Sequence, residues 1–143
     1  MNKLYRTVFI VFLLMASPCI VIHAEESANL PAEVTQSSLT IKEGVVTTTV
    51  ENRLPHGVGK QFPATVGMLY CFTAIGGAKA ETSISHTWYY QDNKMAQVVL
   101  PVRSILWRTW SSKTIIPEWR GEWRVEVTTE DGVLLATIPF TIE

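Results

Sequence analysis

This chain of 143 residues is short of net charge, of cysteine and of helical patterning. Twelve basic residues face thirteen acidic ones, for a net charge of −1. An electrostatic nucleic-acid binder, which needs a clustered cationic face, is therefore excluded, and no nucleic acid is expected as a partner. There are two cysteines, Cys19 and Cys71, too few for a disulfide framework. His56, His86 and Cys71 show no ligand-like spacing, so neither a metal nor a cofactor is expected. The glycine pair Gly76-Gly77 is not followed by the lysine and hydroxyl residue of a phosphate loop. No apolar stripe at helical spacing occurs beyond the N-terminal 24 residues.

Met1–Thr7 carries Lys3 and Arg6, Val8–Met15 is wholly apolar, and the segment ends Val21-Ile22-His23-Ala24. A positive start, a short apolar run and a small residue before a polar stretch describe a secretory signal peptide over 1–24, cleaved near Ala24. The expected location is the periplasm or the medium. A retained membrane anchor is the weaker reading, because Val8–Ile22 is short and Pro18 interrupts it, whereas a span needs roughly 20 apolar residues. Lipidation at Cys19 is disfavoured by Pro18 directly before it. Membrane association is expected only if this segment is retained or lipidated. Removing Lys3 and Arg6 leaves ten basic and thirteen acidic residues, a net charge of −3.

Residues 25–42 are polar and aperiodic and read as a flexible spacer, with a domain over 43–143. Val45–Val50 is strand-like, Glu51–Pro63 reads as a loop, and Val66–Ile75 is a core strand holding Cys71 as a buried thiol. Ser83–Tyr90 and Lys94–Val102 form a hairpin. Pairing Ile84 with Leu100, His86 with Val98 and Trp88 with Ala96 requires a three-residue turn, with Asn93 at positive φ. Glu122–Thr128 and Val133–Ile142 form a second hairpin. A two-residue Asp131-Gly132 turn opposes Trp123 to Phe140, Val125 to Ile138 and Val127 to Ala136. Six or seven short strands predict an all-β, immunoglobulin-like antiparallel β-sandwich. Val125 stands where the partner of Cys71 would be, so no disulfide is expected.

Four of the five tryptophans fall within Arg103–Arg124: Trp107, Trp110, Trp119 and Trp123. Trp88 and Trp123 are assigned to the core by hairpin register. Trp107 and Trp110 are three apart, so on a regular strand they face opposite sides and at most one enters the core. A structural reading has Arg108 stacked across one of these indoles. The functional reading makes Trp107, Arg108, Trp110, Lys113 and Trp119 the candidate binding surface, with Trp119 in a connection after Pro117. Aromatic platforms of this kind suit sugar rings or a protein partner.

Catalytic patterns are weak. Cys71 and His86 on packed strands lack the exposed, electropositive setting that activates a thiol, and His86 reads as a core-edge histidine bonded to backbone. Ser112 and Lys113 are adjacent rather than three apart on a helical turn. Glu122, Glu126 and Glu130 read as a solvated face with Arg120 and Arg124.

Arg53-x-Pro55, Leu69-Tyr70-Cys71-Phe72-Thr73, His86-x-Trp88, Leu100-Pro101-Val102-Arg103, Trp107-Arg108-Thr109-Trp110-Ser111-Ser112-Lys113 and Gly121-x-Trp123-x-Val125 resemble the bacterial family called domain of unknown function 2914, over Val45–Ile142. The resemblance implies an exported or membrane-attached bacterial domain and transfers no catalytic or binding residue. The expectation is a non-enzymatic periplasmic interaction or accessory module whose partner is another envelope protein or a cell-wall component. The alternative is glycan binding through exposed tryptophans.

Overall fold

The structure is a computed structural model that describes residues 38–143. The leader, Cys19 and most of the spacer lie outside the described residues. Nine strands form two facing sheets, and among the described residues there is no helix. They are β1 (Thr40–Glu51), β2 (Leu54–Gly59), β3 (Gln61–Phe62), β4 (Met68–Gly76), β5 (Thr82–Tyr90), β6 (Asn93–Val102), β7 (Leu106–Thr114), β8 (Gly121–Thr129) and β9 (Leu134–Ile142). The first sheet has the order β2-β1-β4-β7 and the second β3-β9-β8-β5-β6. The chain crosses between sheets from β2 to β3, from β3 to β4, from β4 to β5, from β6 to β7 and from β7 to β8. Short β3 runs parallel to β9 at the far edge. This is an immunoglobulin-like sandwich. Cys71 on β4, Trp88 on β5 and Val125 on β8 share one core cluster, and Cys71 is a free, buried thiol.

Alternation explains which side chains meet. On the second sheet the inward rows run Val98–His86–Val127–Ala136, then Ala96–Trp88–Val125–Ile138, then Tyr90–Trp123–Phe140. On the first sheet Val46, Cys71 and Ser111 share a row, as do Ile41, Ile75 and Trp107. Trp88 is fully buried against Phe140, at 6.1 Å and 82° between rings. A buried indole of this size contributes on the order of 4–6 kcal/mol of gross hydrophobic stabilisation.

Both hairpins keep the pairing read from alternation, but they reach it by other turns. At the β5–β6 end the loop has two residues, Gln91 and Asp92, and Gln91 rather than Asn93 takes positive φ, at 52°. A bulge between Trp88 and Tyr89, with Met95 unpaired on β6, absorbs the extra residue. At the β8–β9 end the loop has three residues. Gly132 sits at φ 82° and donates to the Thr129 carbonyl (3.0 Å), while Thr129 pairs back to Val133. That is a turn followed by a left-handed glycine, and a bulge at Leu135 restores the register. The apolar pairing is maintained in both hairpins, and the bulges adjust to it.

Glu51–Pro63 is not a loop. Asn52 and Arg53 have φ of 50° and 60°, the two left-handed residues of a tight hairpin turn joining β1 to β2. With β3, this raises the strand count from about seven to nine. β1 also begins at Thr40, inside the stretch read as spacer.

The pairing of β1 with β4 ends at Thr47↔Tyr70, whereas β1 and β2 stay paired to Glu51↔Leu54. The β1–β2 ladder breaks at Thr48 and Gly57, where Gly57 has φ 70° and both threonines, Thr47 and Thr48, donate to the His56 carbonyl. In a flat sheet Arg53 would lie about 25 Å along the strands from Arg108, whose partner is Ala74. Instead its Nη2 donates to the Arg108 carbonyl at 3.2 Å. The hairpin tip therefore folds back across the outward side of the first sheet, because the inward side is filled by the second. This accounts for Thr47 and Phe72 being outward yet fully buried.

Candidate functional site

The residues able to do acid–base or nucleophilic chemistry are gathered in the core. Trp88 Nε1–H donates to Ser111 Oγ (3.0 Å), and Ser111 Oγ lies 2.9 Å from His86 Nδ1. His86 Nε2 lies 3.2 Å from Thr73 Oγ1, which donates to the Thr109 carbonyl at 3.4 Å. A backbone carbonyl can only accept, so Thr73 spends its proton on Thr109 and accepts from Nε2–H, which leaves Nδ1 of a neutral imidazole as the acceptor. Ser111 gives its proton to Nδ1, and Nε2–H donates to Thr73. Every group is satisfied with a neutral imidazole. The partners of His86 are thus hydroxyls of the facing sheet, not the backbone expected from sequence.

Burial fixes the protonation states. His86 is fully buried, and desolvation lowers its pKa to about 4. The same cause pushes the Cys71 thiol well up, away from the reactive thiolate. Ser111 beside His86 has the separation of a nucleophile and its base, but Ser111 already accepts the Trp88 N–H and has almost no exposed surface. The network ties the two sheets together. Among the described residues no three His, Cys, Asp or Glu side chains come close enough to hold a metal ion.

The five residues of the candidate surface separate into three places. β7 pairs without interruption to β4, from Met68↔Thr114 to Gly76↔Leu106. Trp107, Thr109, Ser111 and Lys113 face inward; Leu106, Arg108, Trp110 and Ser112 face outward. Trp107 lies at one end under Arg53, whose guanidinium is 5.1 Å from the ring centre. Arg53, not Arg108, is the stacked cation. Lys113 lies at the other end with its Nζ 4.8 Å from the Trp119 ring, and Trp119 packs on Trp123 at 5.9 Å. Trp123 Nε1–H donates to the Trp119 carbonyl at 3.0 Å, which anchors that connection. Only Arg108 and Trp110 share an outward face. Trp110 is 37% exposed and stacks on Phe72 at 6.5 Å and 16°.

β7 is also an edge strand. Ile115 N–H bonds the Gly67 carbonyl and Gly77 N–H bonds the Ile105 carbonyl. In an antiparallel ladder these bonds put odd-numbered residues of β7 in register with β4, so the backbone groups of Leu106, Arg108, Trp110, Ser112 and Thr114 point away from it. Side chains take three of those carbonyls: Ser104 Oγ on Leu106 (2.7 Å), Arg53 on Arg108 and Lys113 Nζ on Thr114 (3.2 Å). The carbonyls of Trp110 and Ser112 are left between them.

A depression of about 690 Å³ lies on the outward side of the second sheet among Lys60, Gln91, Glu122, Arg124 and Thr141. Its central cation is already engaged. Arg124 donates to Glu126 (2.9 Å) and to the Gln91 carbonyl (2.6 Å), and lies 4.2 Å over the Tyr89 ring. The Glu126 hydrogen bond is the first cause of its raised pKa. Arg124 and Glu126 therefore form a specific pair, rather than part of a merely solvated face.

Residues 81–142 match the family described as protein of unknown function, DUF2914. The DUF2914 segment begins with β5 and ends with β9, so it includes Trp88, β7 and the Trp119–Trp123 corner. The first sheet's β1, β2 and β4 lie outside the matched residues. A comparison with curated proteins finds no significant match.

Two signals were missed in sequence. Thr73 and Ser111 align with His86 only through the facing of two sheets, which no single-strand pattern reveals. Arg53 was hidden because its turn is Asn-Arg rather than the Asn-Gly of a typical two-residue hairpin.

Proposed function

We propose that the chain is a non-enzymatic, exported interaction module that engages its partner through the outward side and open edge of β7. One observation carries this reading. Trp110 is partly exposed, held flat on Phe72, and adjoins the two backbone carbonyls at the β7 edge, those of Trp110 and Ser112, that no side chain among the described residues caps. An extended segment of an envelope protein added there would gain main-chain hydrogen bonds from the edge and an aromatic anchor from Trp110. The neutral, buried state of Cys71, His86 and Ser111 supports a binding role over a hydrolytic one. Export rests on the leader sequence alone.

The test is photo-crosslinking in cells of the bacterial source, with a photoreactive residue at Ser112 or, as a control, at Thr137 on the second sheet. A discrete adduct at position 112 that Trp110→Asp removes is expected. Adducts of equal yield at both positions, or none at 112, would contradict the reading. Glycan binding is the second reading, favoured by the flat Phe72–Trp110 stack, which suits a sugar ring. It predicts a change in tryptophan fluorescence on titration with cell-wall glycans, lost in Trp110→Ala.

A further inference from the structure

The fold-back of the β1–β2 hairpin builds a second feature, independent of the β7 edge reading. A cleft of about 310 Å³ is lined by Lys42, Arg53, Ala74, Ile75, Leu106, Trp107 and Arg108. Three of these side chains are cationic and none is acidic. Among the described residues, no ion pair involves Lys42, Arg53 or Arg108. Glu43 shares a row of the sheet with Ala74 and Arg108, but it does not line the cleft. Three unneutralised cations around one cleft are unexpected in a chain whose net charge is −1. Like charges held together repel, and that arrangement is relieved by an anion.

The position of Arg53 is the second observation. It occupies the second place of a two-residue turn at φ 60°, where glycine is the usual occupant and a long side chain is disfavoured. Its guanidinium is then fixed twice, by the Arg108 carbonyl and by the Trp107 ring. One of its five N–H donors goes to that carbonyl, which leaves donors for a ligand. A guanidinium held in this way is pre-organised for a planar or tetrahedral oxyanion.

We propose that this cleft binds a phosphate group, gripped by Arg53 and Lys42 with Arg108 at the rim and Trp107 as its apolar wall. The volume lies at the lower limit for ligand sites, so it takes a phosphate ester of a small head group rather than a polymer. Free phosphate esters and the phosphate of a lipid head group share this chemistry.

The full chain is titrated with inorganic phosphate and with sn-glycerol 3-phosphate, following the Trp107 indole N–H and the Arg53 side-chain N–H by heteronuclear NMR. Saturable shifts centred on these two groups are expected. Arg53→Gln and Lys42→Gln should each weaken binding about tenfold or more, the usual worth of a charge-assisted hydrogen bond. Val99→Thr, on the second sheet, should leave it unchanged. Thermal midpoints of the variants show whether a loss of binding is only a loss of fold, and Arg53→Lys, which keeps the charge, should bind better than Arg53→Gln. Vesicles of phosphatidylglycerol and of phosphatidylcholine then separate the sources. Stronger binding to the former that Arg53→Gln removes assigns a lipid head group; equal binding to both, with the soluble esters still saturating, assigns a free ester. No saturable shift with either soluble ligand, or shifts that survive both Arg53→Gln and Lys42→Gln in folded protein, would overturn the proposal.

Discussion

His86 should make this domain acid-sensitive between about pH 6.5 and about pH 4. Unfolded, its imidazole takes up a proton near pH 6.5; folded, burial holds it neutral down to about pH 4. Between those values the unfolded state binds more protons, so stability rises with pH and falls as pH drops. The steepest slope is about 1.4 kcal/mol per pH unit, and the loss from pH 8 to pH 5 comes to about 2 kcal/mol. The hydrogen-bond chain gives the same sign. A proton on Nδ1 would meet the Ser111 hydroxyl, which already accepts the Trp88 N–H and would have to turn its own proton elsewhere. The assay is urea unfolding at pH 8, 6.5 and 5, compared with His86→Gln, whose amide can supply one donor and one acceptor but does not titrate. The wild type should lose about 2 kcal/mol across this range relative to the variant. Parallel pH dependence in the two proteins, or a His86 imidazole that titrates near pH 6.5 by NMR, would refute the neutral network.

Three further outcomes follow from packing. Trp123→Ala should cost about 3–5 kcal/mol in denaturant unfolding, because the indole is buried between Phe140, Tyr90 and Trp119; a loss below about 1 kcal/mol would remove it from the core. Cys71 should resist a thiol reagent in the native state and react stoichiometrically once urea unfolds the chain. Rapid native labelling would contradict its burial. Gly57→Ala should destabilise by about 1–2 kcal/mol, since a Cβ at φ 70° would run into Thr48 Oγ1. It should also raise the fluorescence accessibility of Trp107 as the hairpin tip lifts, and unchanged quenching would argue against the fold-back.

Local pattern was enough for the second sheet. Trp123 opposite Phe140 and Trp88 opposite Ala96 follow from parity, because one face is buried and a slip would expose every apolar residue. It was not enough for the turns, where Gln91 and the Glu130–Gly132 loop differ from the expected residues while Met95 and Leu135 take up the difference. The β1–β2 hairpin was illegible for a related reason: Asn52-Arg53 lacks the usual glycine, and Gly57 looks like a loop breaker although it forms the bend. The site was half legible. Three-residue spacing placed Trp107 and Trp110 on opposite faces, but spacing cannot show that Arg53, distant in sequence, covers one of them. Nor can it show that Trp119 is tied to Trp123 and Lys113.

A scan of photo-crosslinking residues along β7, made one position at a time from Leu106 to Ser112 in cells, tests the binding account most directly. Adducts are expected at the outward positions 106, 108, 110 and 112 and none at 107, 109 and 111. A flat profile, or adducts strongest at the inward positions, would contradict it.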